Sequence, residues 1–262
     1  MRRILIAAVF ALTALASAAT AQTPDAVAPI ASDPILYKSA DTLTPVEMKK
    51  LQSLAGDFAQ LGRYRPANAA LPAPEPGRVV FFGDSITDAW GRGKEPVPFF
   101  PGKPYVNRGI SGQTTPQMLL RFQQDVIALK PVAVLILAGT NDIAGNTGIS
   151  TLEMVENNFR SMAELAAAHQ IKVIMASVLP VDDYAWRHGL QPVPKIRELN
   201  AWMKNYCATS SCTYLDYYTA LATPDGAMRP GTSRDGVHPT PAGYAVMAPL
   251  AQTAIDATLK PR

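Results

Sequence analysis

The fold of this chain is decided by one stretch, Val79-Val80-Phe81-Phe82-Gly83-Asp84-Ser85-Ile86-Thr87-Asp88, in which an uninterrupted apolar run ends in a tight polar turn. A short run of Val and Phe that is closed by a glycine predicts a buried β-strand. Ser85 would then lie just beyond the strand, at the edge of a sheet and beside the free N–H groups of a following helical turn. That position suits a nucleophile.

Similar apolar runs recur along the chain, and segments with helical spacing separate most of them. The helical segments are well delimited, as in the one that begins at Thr115-Pro116 and stops before Pro131. This alternation of strand and helix predicts a parallel sheet that is covered by helices on both faces. The five runs lie at 78–82, 104–107, 132–138, 171–178 and 212–216.

Polar residues follow several of these runs at the points where open parallel sheets bind ligands, namely the carboxyl ends of the strands. The second run continues into Asn107-Arg108-Gly109-Ile110-Ser111-Gly112, and the third into Gly139-Thr140-Asn141-Asp142. A further polar loop, Asp235-Gly236-Val237-His238, directly precedes the last helix. We therefore expect these segments to meet Ser85 at one edge of the sheet.

These residue types match the needs of acyl transfer. A nucleophilic serine needs a base within hydrogen-bond distance, and a histidine base needs a carboxylate to fix its tautomer, which Asp235 and His238 would supply. The oxyanion needs donors, for which the candidates are the Ser85 and Gly112 backbone N–H groups and the Asn141 side-chain amide. Taken singly, each segment has a simpler interpretation: a turn, a helix cap, a surface pair or half a metal site.

Taken together, the segments GDSIT, GISGQT, GTND and DGVH resemble the SGNH (GDSL-type) hydrolase superfamily, in the order that the family has them. The resemblance implies a three-layer α/β/α flavodoxin-like fold with a five-stranded parallel sheet. It also implies Ser85 as nucleophile, His238 as base and Asp235 as its orienting partner, with Ser85, Gly112 and Asn141 as oxyanion donors. No cofactor and no metal is expected.

The substrate is predicted less sharply than the chemistry. Aromatic and polar residues near the expected active edge are candidates for a substrate pocket, although they would equally cover the edge of the core. We expect hydrolysis of short-chain carboxylic esters, with deacetylation of a carbohydrate as one candidate. A lysophospholipase, a thioesterase and a non-catalytic glycan-binding protein are the alternatives. The pocket candidates are Trp90, Phe99, Phe100, Tyr184, Trp186 and Arg187.

The first 21 residues have the layout of a secretory signal peptide, with Arg2 and Arg3 before an apolar run and Ala-Thr-Ala at its end. Cleavage is predicted after Ala21, or alternatively after Ala18. A membrane anchor is the other interpretation, but the run falls short of the roughly 20 apolar residues that cross a bilayer. We therefore expect export to a periplasm or to the medium, without a stable membrane anchor.

Beyond the signal peptide, the sequence predicts a mobile leader over 22–43, an N-terminal helix with a linker over 44–76, and the hydrolase domain over 77–262. Thr44-Pro45-Val46-Glu47 forms a capping box for the helix, with apolar residues continuing at helical spacing to Phe58 and Leu61. This helix is expected to pack on the flank of the domain.

The net charge limits the classes of binding partner, and the two cysteines indicate a disulfide. The formal charge is +3 and falls to about +1 when Arg2 and Arg3 leave with the signal peptide, which argues against nucleic acid or an anionic membrane surface as a partner. The two cysteines, Cys207 and Cys212, are expected to form a disulfide in an oxidising compartment, with free thiols or a zinc site as alternatives. His188, near Asp182 and Asp183, matches no metal-site spacing, and interaction with the helix dipole explains His169. The sequence does not predict an oligomeric state, and a small-molecule or carbohydrate ester remains the expected partner.

Overall fold

A computed structural model describes residues 38–92 and 97–260, so the predicted signal peptide and most of the leader lie outside the described residues. The described chain is an α/β fold built on one parallel sheet of five strands in the order β2-β1-β3-β4-β5. The predicted fold class is therefore confirmed. The strands are β1 (Val79–Gly83), β2 (Tyr105–Gly109), β3 (Ala133–Leu137), β4 (Lys172–Ala176) and β5 (Cys212–Leu215).

Helices follow the strands and cover the sheet. Within the described ranges, no helix is both long and apolar enough to cross a membrane. Short 3-10 turns lie at Ala40–Thr42 and Ile127–Leu129. The α-helices are α1 (Pro45–Gly56), α2 (Arg65–Ala69), α3 (Ser85–Ala89), α4 (Thr115–Asp125), α5 (Thr140–Ile143), α6 (Leu152–Ala168), α7 (Pro192–Thr209), α8 (Tyr217–Leu221) and α9 (Pro241–Leu259).

Strand β1 lies at the centre of two apolar layers, because alternate side chains point to opposite faces of a sheet. Val80 and Phe82 pack in the layer formed with α4, α6 and α7. Val79 and Phe81 pack in the layer formed with α3, α8 and α9. All four are at most 1% exposed, so each contributes roughly 1.5–3 kcal/mol of burial free energy. This double burial explains why the strand reads as an unbroken apolar run.

The order of the strands positions the site. β1 pairs with β2 on one side and with β3 on the other, all in parallel. The chain thus reverses its winding direction between β1 and β3, and such a switch point leaves a crevice at the carboxyl ends of the strands. The turns after β1, β2 and β3 all open into this crevice.

The N-terminal segment differs from its prediction in two respects. The capping box of Thr44 and Glu47 is present, but α1 ends at Gly56, so Phe58 and Leu61 lie in the turns that follow it. No residue of α1 is fully buried. The predicted helix and linker over 44–76 also contain a second helix, α2, because Pro66 at its second position favours a helix start rather than an open chain.

Candidate active site

Ser85 is the first residue of α3 and directly follows the turn out of β1. The Asp84 side chain caps this helix by accepting a hydrogen bond from the Ile86 backbone N–H at 3.0 Å. Gly83 permits the sharp turn, since a Cβ there would come within 2.2 Å of the Thr87 hydroxyl. The strand and the cap together fix the Ser85 side chain at the edge of the sheet.

Three side chains that are far apart in the sequence form a continuous relay. The Ser85 hydroxyl lies 2.9 Å from Nε2 of His238, and Nδ1 of His238 lies 2.7 Å from the Asp235 carboxylate. An ionised carboxylate can only accept, so Nδ1 donates to Asp235 and Nε2 of the neutral ring accepts from Ser85. The structure thus brings together all three residues of the predicted triad, in the tautomer that general-base chemistry requires.

The Asp235 carboxylate is held in its ionised form. Partial burial would by itself raise the pKa of Asp235, but hydrogen bonds from His238 and from the Val237 backbone outweigh it and lower the pKa. The second carboxylate oxygen accepts the backbone N–H groups of Val237 at 3.0 Å and His238 at 2.8 Å. These contacts also fix the loop that carries the histidine.

Two of the three predicted oxyanion donors are available. Across residues 38–92 and 97–260, no protein acceptor takes the backbone N–H of Ser85 or of Gly112. Gly112 has a φ of 79°, a left-handed conformation that glycine adopts without strain. The Asn141 amide, in contrast, already donates to the Gln113 carbonyl at 3.0 Å and to the Asp84 carboxylate at 3.4 Å.

Asn146 is a site residue that sequence reasoning missed. Its amide donates to the Asn141 side-chain oxygen at 2.8 Å and to the Gly112 carbonyl at 3.4 Å. It therefore connects two of the predicted oxyanion residues. Its signal in the sequence is weak, because an asparagine five residues after Asn141 in a glycine-containing turn has an ordinary explanation as a turn residue.

Two buried carboxyl groups lie behind the relay. Burial raises the pKa of Asp84 to about 7, and the nearby Asp142 adds to this, although the Ile86 N–H and the charge of His238 oppose the shift. Burial likewise raises the pKa of Asp142 to about 6 against the hydrogen bonds from Thr115. Asp142 accepts the Thr115 backbone N–H at 3.0 Å and so anchors the start of α4.

Arg121 was also missed, and it ties the active edge together. Its guanidinium is fully buried and donates to the Gly83 carbonyl at 3.0 Å, the Arg108 carbonyl at 2.9 Å and the Gln113 side chain at 2.6 Å. It thereby joins the ends of β1 and β2 to the loop that carries Gly112. A charged pair at positions 121 and 125, within the apolar stripe of a helix, was the available signal.

The predicted pocket residues divide into two groups. Trp90 is 2% exposed and packs against Phe99 and Phe100, so these aromatic residues belong to the core rather than to a pocket wall. Tyr184 is fully buried, and its hydroxyl lies 3.0 Å from that of Thr140. The prediction that Trp90 and Tyr184 line a pocket is therefore corrected, because tertiary packing covers both rings.

The residues that follow Tyr184 do reach the site. Trp186 is 45% exposed, and its ring centroid lies 6.2 Å from that of His238. The Arg187 guanidinium donates to the carbonyls of Ala144 and Gly145, which fixes this loop against the turn after α5. Trp186 therefore forms a wall beside His238.

The remaining predicted residues lie away from the relay. Cys207 and Cys212 are joined by a disulfide that links the last turn of α7 to β5. His188 contacts the Asp183 carboxylate on an exposed loop. His169 follows the last turn of α6, where the dipole of the helix favours it.

Comparison with known proteins adds three findings. The model of the GDSL-like lipase/acylhydrolase family matches residues 81–246. A GDSL-like lipase from Bacteroides thetaiotaomicron VPI-5482 is 44% identical over 77% of this chain and all of that chain, with a TM-score of 0.73. A structure from Bacteroides fragilis NCTC 9343 has the same identity and TM-score over 78% of this chain and 99% of its own.

A curated relative is more distant. The Bacillus subtilis (strain 168) protein described as uncharacterized lipoprotein YqeF is 37% identical over 89 residues, which are 32% of this chain. The chain thus spans only 36% of the length of that relative.

Proposed function

Because the chain belongs to the GDSL-like lipase/acylhydrolase family and is a serine hydrolase of ester bonds, we propose that Ser85 is its nucleophile, with His238 as base and Asp235 as orienting partner. The observation that supports this assignment is the relay itself, with distances of 2.9 Å and 2.7 Å between successive side chains. Both distances lie within the range over which a base takes a proton from a nucleophile.

In the proposed reaction, Nε2 of His238 removes the Ser85 proton while Oγ attacks the ester carbonyl carbon. Asp235 stabilises the imidazolium that forms and holds its tautomer. The imidazolium then gives its proton to the leaving alcohol as the carbon–oxygen bond of the ester breaks. Water, deprotonated by His238, hydrolyses the acyl-enzyme and releases a carboxylic acid and free Ser85.

The tetrahedral oxyanion would be bound by the Ser85 and Gly112 N–H groups, each worth roughly 3 kcal/mol to the transition state. Asn141 would be the third donor. Since its amide hydrogens already have partners, the longer contact to Asp84, at 3.4 Å, would be exchanged for the substrate oxygen. Asn146 would keep Asn141 in position during this exchange.

The proposed substrates are short-chain carboxylic esters, with acetylated carbohydrates as candidates. The support is Trp186, whose half-exposed ring stands beside His238, on the side where the leaving alcohol must receive its proton. An aromatic face next to a leaving group suits the apolar face of a sugar ring.

Export is proposed on the sequence pattern of residues 1–21 and on the similarity to a lipoprotein.

The experiment is the hydrolysis of p-nitrophenyl acetate, butyrate and octanoate by the chain from residue 22 onward, beside Ser85→Ala. The matched control is Ser161→Ala on α6, outside the relay. We expect Ser85→Ala to lose at least about a thousandfold in kcat, since the nucleophile is gone, and Ser161→Ala to keep full activity. Equal rates for Ser85→Ala and the unmodified chain would refute the assignment.

The acyl series separates the substrate classes. A preference for acetate supports the short-chain proposal and leads next to acetate release from acetylated sugars. A preference for octanoate would favour the lysophospholipase or thioesterase interpretation. A chain that hydrolyses none of the three but binds glycans would favour the binding-protein interpretation.

A further inference from the structure

A cavity of about 380 Å³ opens beside Gly112 and is walled on its far side by α1. A Cβ added to Gly112 would meet no atom within 4 Å, so the space above this residue is open. The volume lies within the range of roughly 300–1,000 Å³ that is typical of ligand sites. The lining residues contributed by α1 are Val46, Lys49, Lys50, Ser53 and Leu54.

The segment that contains α1 is held in place by side chains of α4 and of the loop before it. Three glutamines in and before α4 donate to backbone carbonyls of the segment that follows α1, at 2.5–2.8 Å. The Tyr64 hydroxyl adds a hydrogen bond to the Gly109 carbonyl at the end of β2. The N-terminal segment is therefore built against the loop that carries Gly112. The three pairs are Gln113 with Ala59, Gln117 with Phe58, and Gln124 with Leu61.

The position of the cavity indicates which part of an ester it would receive. Ser85 follows β1, whereas Gly112 follows β2 on one side and Trp186 follows β4 on the other. The leaving alcohol must lie near Nε2 of His238, and hence on the side of Trp186. An oxyanion on the Gly112 N–H places the carbonyl carbon near this glycine, so the cavity adjoins the acyl side of the ester rather than the leaving alcohol.

The lining selects the chemistry of that acyl part. Two lysines line the cavity, and no carboxylate does among the residues that the structure describes. Two acids near this lining are already paired: Asp88, which accepts from Ser111 at 2.8 Å, is paired with Arg92 at 2.6 Å, and Glu47 of α1 is paired with Lys38 at 2.6 Å. The remaining wall combines the apolar side chains of Val46 and Leu54 with the polar side chains of Ser53 and Gln60, which suits a short aliphatic spacer that ends in a charged group.

We propose that the cavity between α1 and Gly112 binds a short acyl group with a terminal carboxylate, such as the half-ester of a dicarboxylic acid, and that Lys49 selects this charge. The inference rests on the proposed function of Ser85, and it makes the N-terminal helix part of the substrate site. An exposed lysine contributes a modest attraction that salt weakens, so the effect on kcat/KM should be a few-fold and dependent on ionic strength.

The test compares 4-nitrophenyl hydrogen adipate, which is anionic, with 4-nitrophenyl methyl adipate, which is neutral and has the same leaving group. Rates are corrected with Ser85→Ala. We expect the unmodified chain to prefer the anionic ester by about threefold or more in kcat/KM. Lys49→Gln should lower the value for the anionic ester about threefold and Lys49→Glu about tenfold, with the neutral ester unchanged and the difference reduced in 0.5 M NaCl.

The control variants are Lys204→Gln and Lys204→Glu on the exposed side of α7, which change the net charge equally and should alter neither rate. Equal kcat/KM values for the two esters, or equal losses on both in the Lys49 variants, would overturn the inference while leaving the proposed function intact. Hydrolysis of p-nitrophenyl acetate that persists in Ser85→Ala would overturn both.

Discussion

Replacing Arg121 by methionine tests whether the active edge depends on one buried cation. The guanidinium is fully buried and donates four hydrogen bonds, to Gln113, to the carbonyls of Arg108 and Gly83, and to the Asp125 carboxylate at 3.2 Å. Burial lowers the pKa of Arg121 to about 10 despite the opposing charge of Asp125, so the side chain is still protonated at neutral pH. Methionine keeps much of the volume and removes every donor.

The expected loss of unfolding free energy follows from the Asp125 carboxylate, which remains buried without its cation. Asp125 is also fully buried, and a buried carboxylate without its cation costs about 3–5 kcal/mol. Hydrogen bonds from a charged donor contribute roughly 1.5–3 kcal/mol each, but those of one side chain are not additive. We therefore expect Arg121→Met to lower the free energy of unfolding by about 5 kcal/mol, a large part of the 5–15 kcal/mol of a typical domain.

The assay is urea unfolding followed by circular dichroism, combined with kcat on p-nitrophenyl acetate without urea. Asp125→Asn in the Arg121→Met background should recover roughly 2–3 kcal/mol, because the unpaired charge is removed. The kcat of the folded double variant should still be about tenfold low, since the Gln113 side-chain oxygen loses its donor and the loop that carries Gly112 is held less firmly. Arg65→Met, on the exposed face of α2, is the control and should stay within about 0.5 kcal/mol. A loss below about 1 kcal/mol in Arg121→Met would refute the reasoning.

Two further predictions concern acidic residues of the site. Asp235→Asn keeps an oxygen for the Val237 and His238 N–H groups but no longer fixes the tautomer, so kcat should fall at least about a hundredfold at unchanged urea stability; a loss under threefold would contradict the relay. For Asp84, a folded-state pKa of about 7 against an ordinary 3.8 means that the folded chain holds a proton that the unfolded chain releases. Stability should therefore fall as pH rises from 4 to 7, by up to about 4 kcal/mol relative to Asp84→Asn; parallel urea-midpoint curves for the two proteins would count against it.

The fold was predictable because β1 is buried on both faces. A strand in that position needs apolar residues at every site, and residues 79–82 are all apolar. The polar ends of the strands then identified the edge, and the family match over residues 81–246 confirms the resemblance drawn from four short motifs. Ser85, His238 and Asp235 were found together because their chemistry restricts the residue types.

The exposure of side chains near the edge was not predictable in the same way. Trp90 and Trp186 both follow a strand in the sequence, yet one is 2% exposed and the other 45% exposed. The difference arises from partners that are distant in the sequence: Tyr244 of α9 covers Trp90, whereas the ring contacts of Trp186 within the described residues are with Tyr184 and His238. Arg121 escaped notice for a similar reason, since two of its four acceptors are backbone carbonyls of distant strands, which no sequence pattern marks.

The N-terminal segment is held by contacts that its sequence does not reveal. The helical pattern around α1 predicted packing against the flank, but the structure holds the segment through glutamine contacts to backbone carbonyls and through Tyr64, while α1 itself buries no residue. Lys49 lies outside the matched residues 81–246, whereas Ser85, Gly112 and His238 lie inside them. If Lys49 selects the acyl group, chains that share the matched region share the bond-breaking chemistry, but their acyl preference changes with whatever segment packs over the glycine.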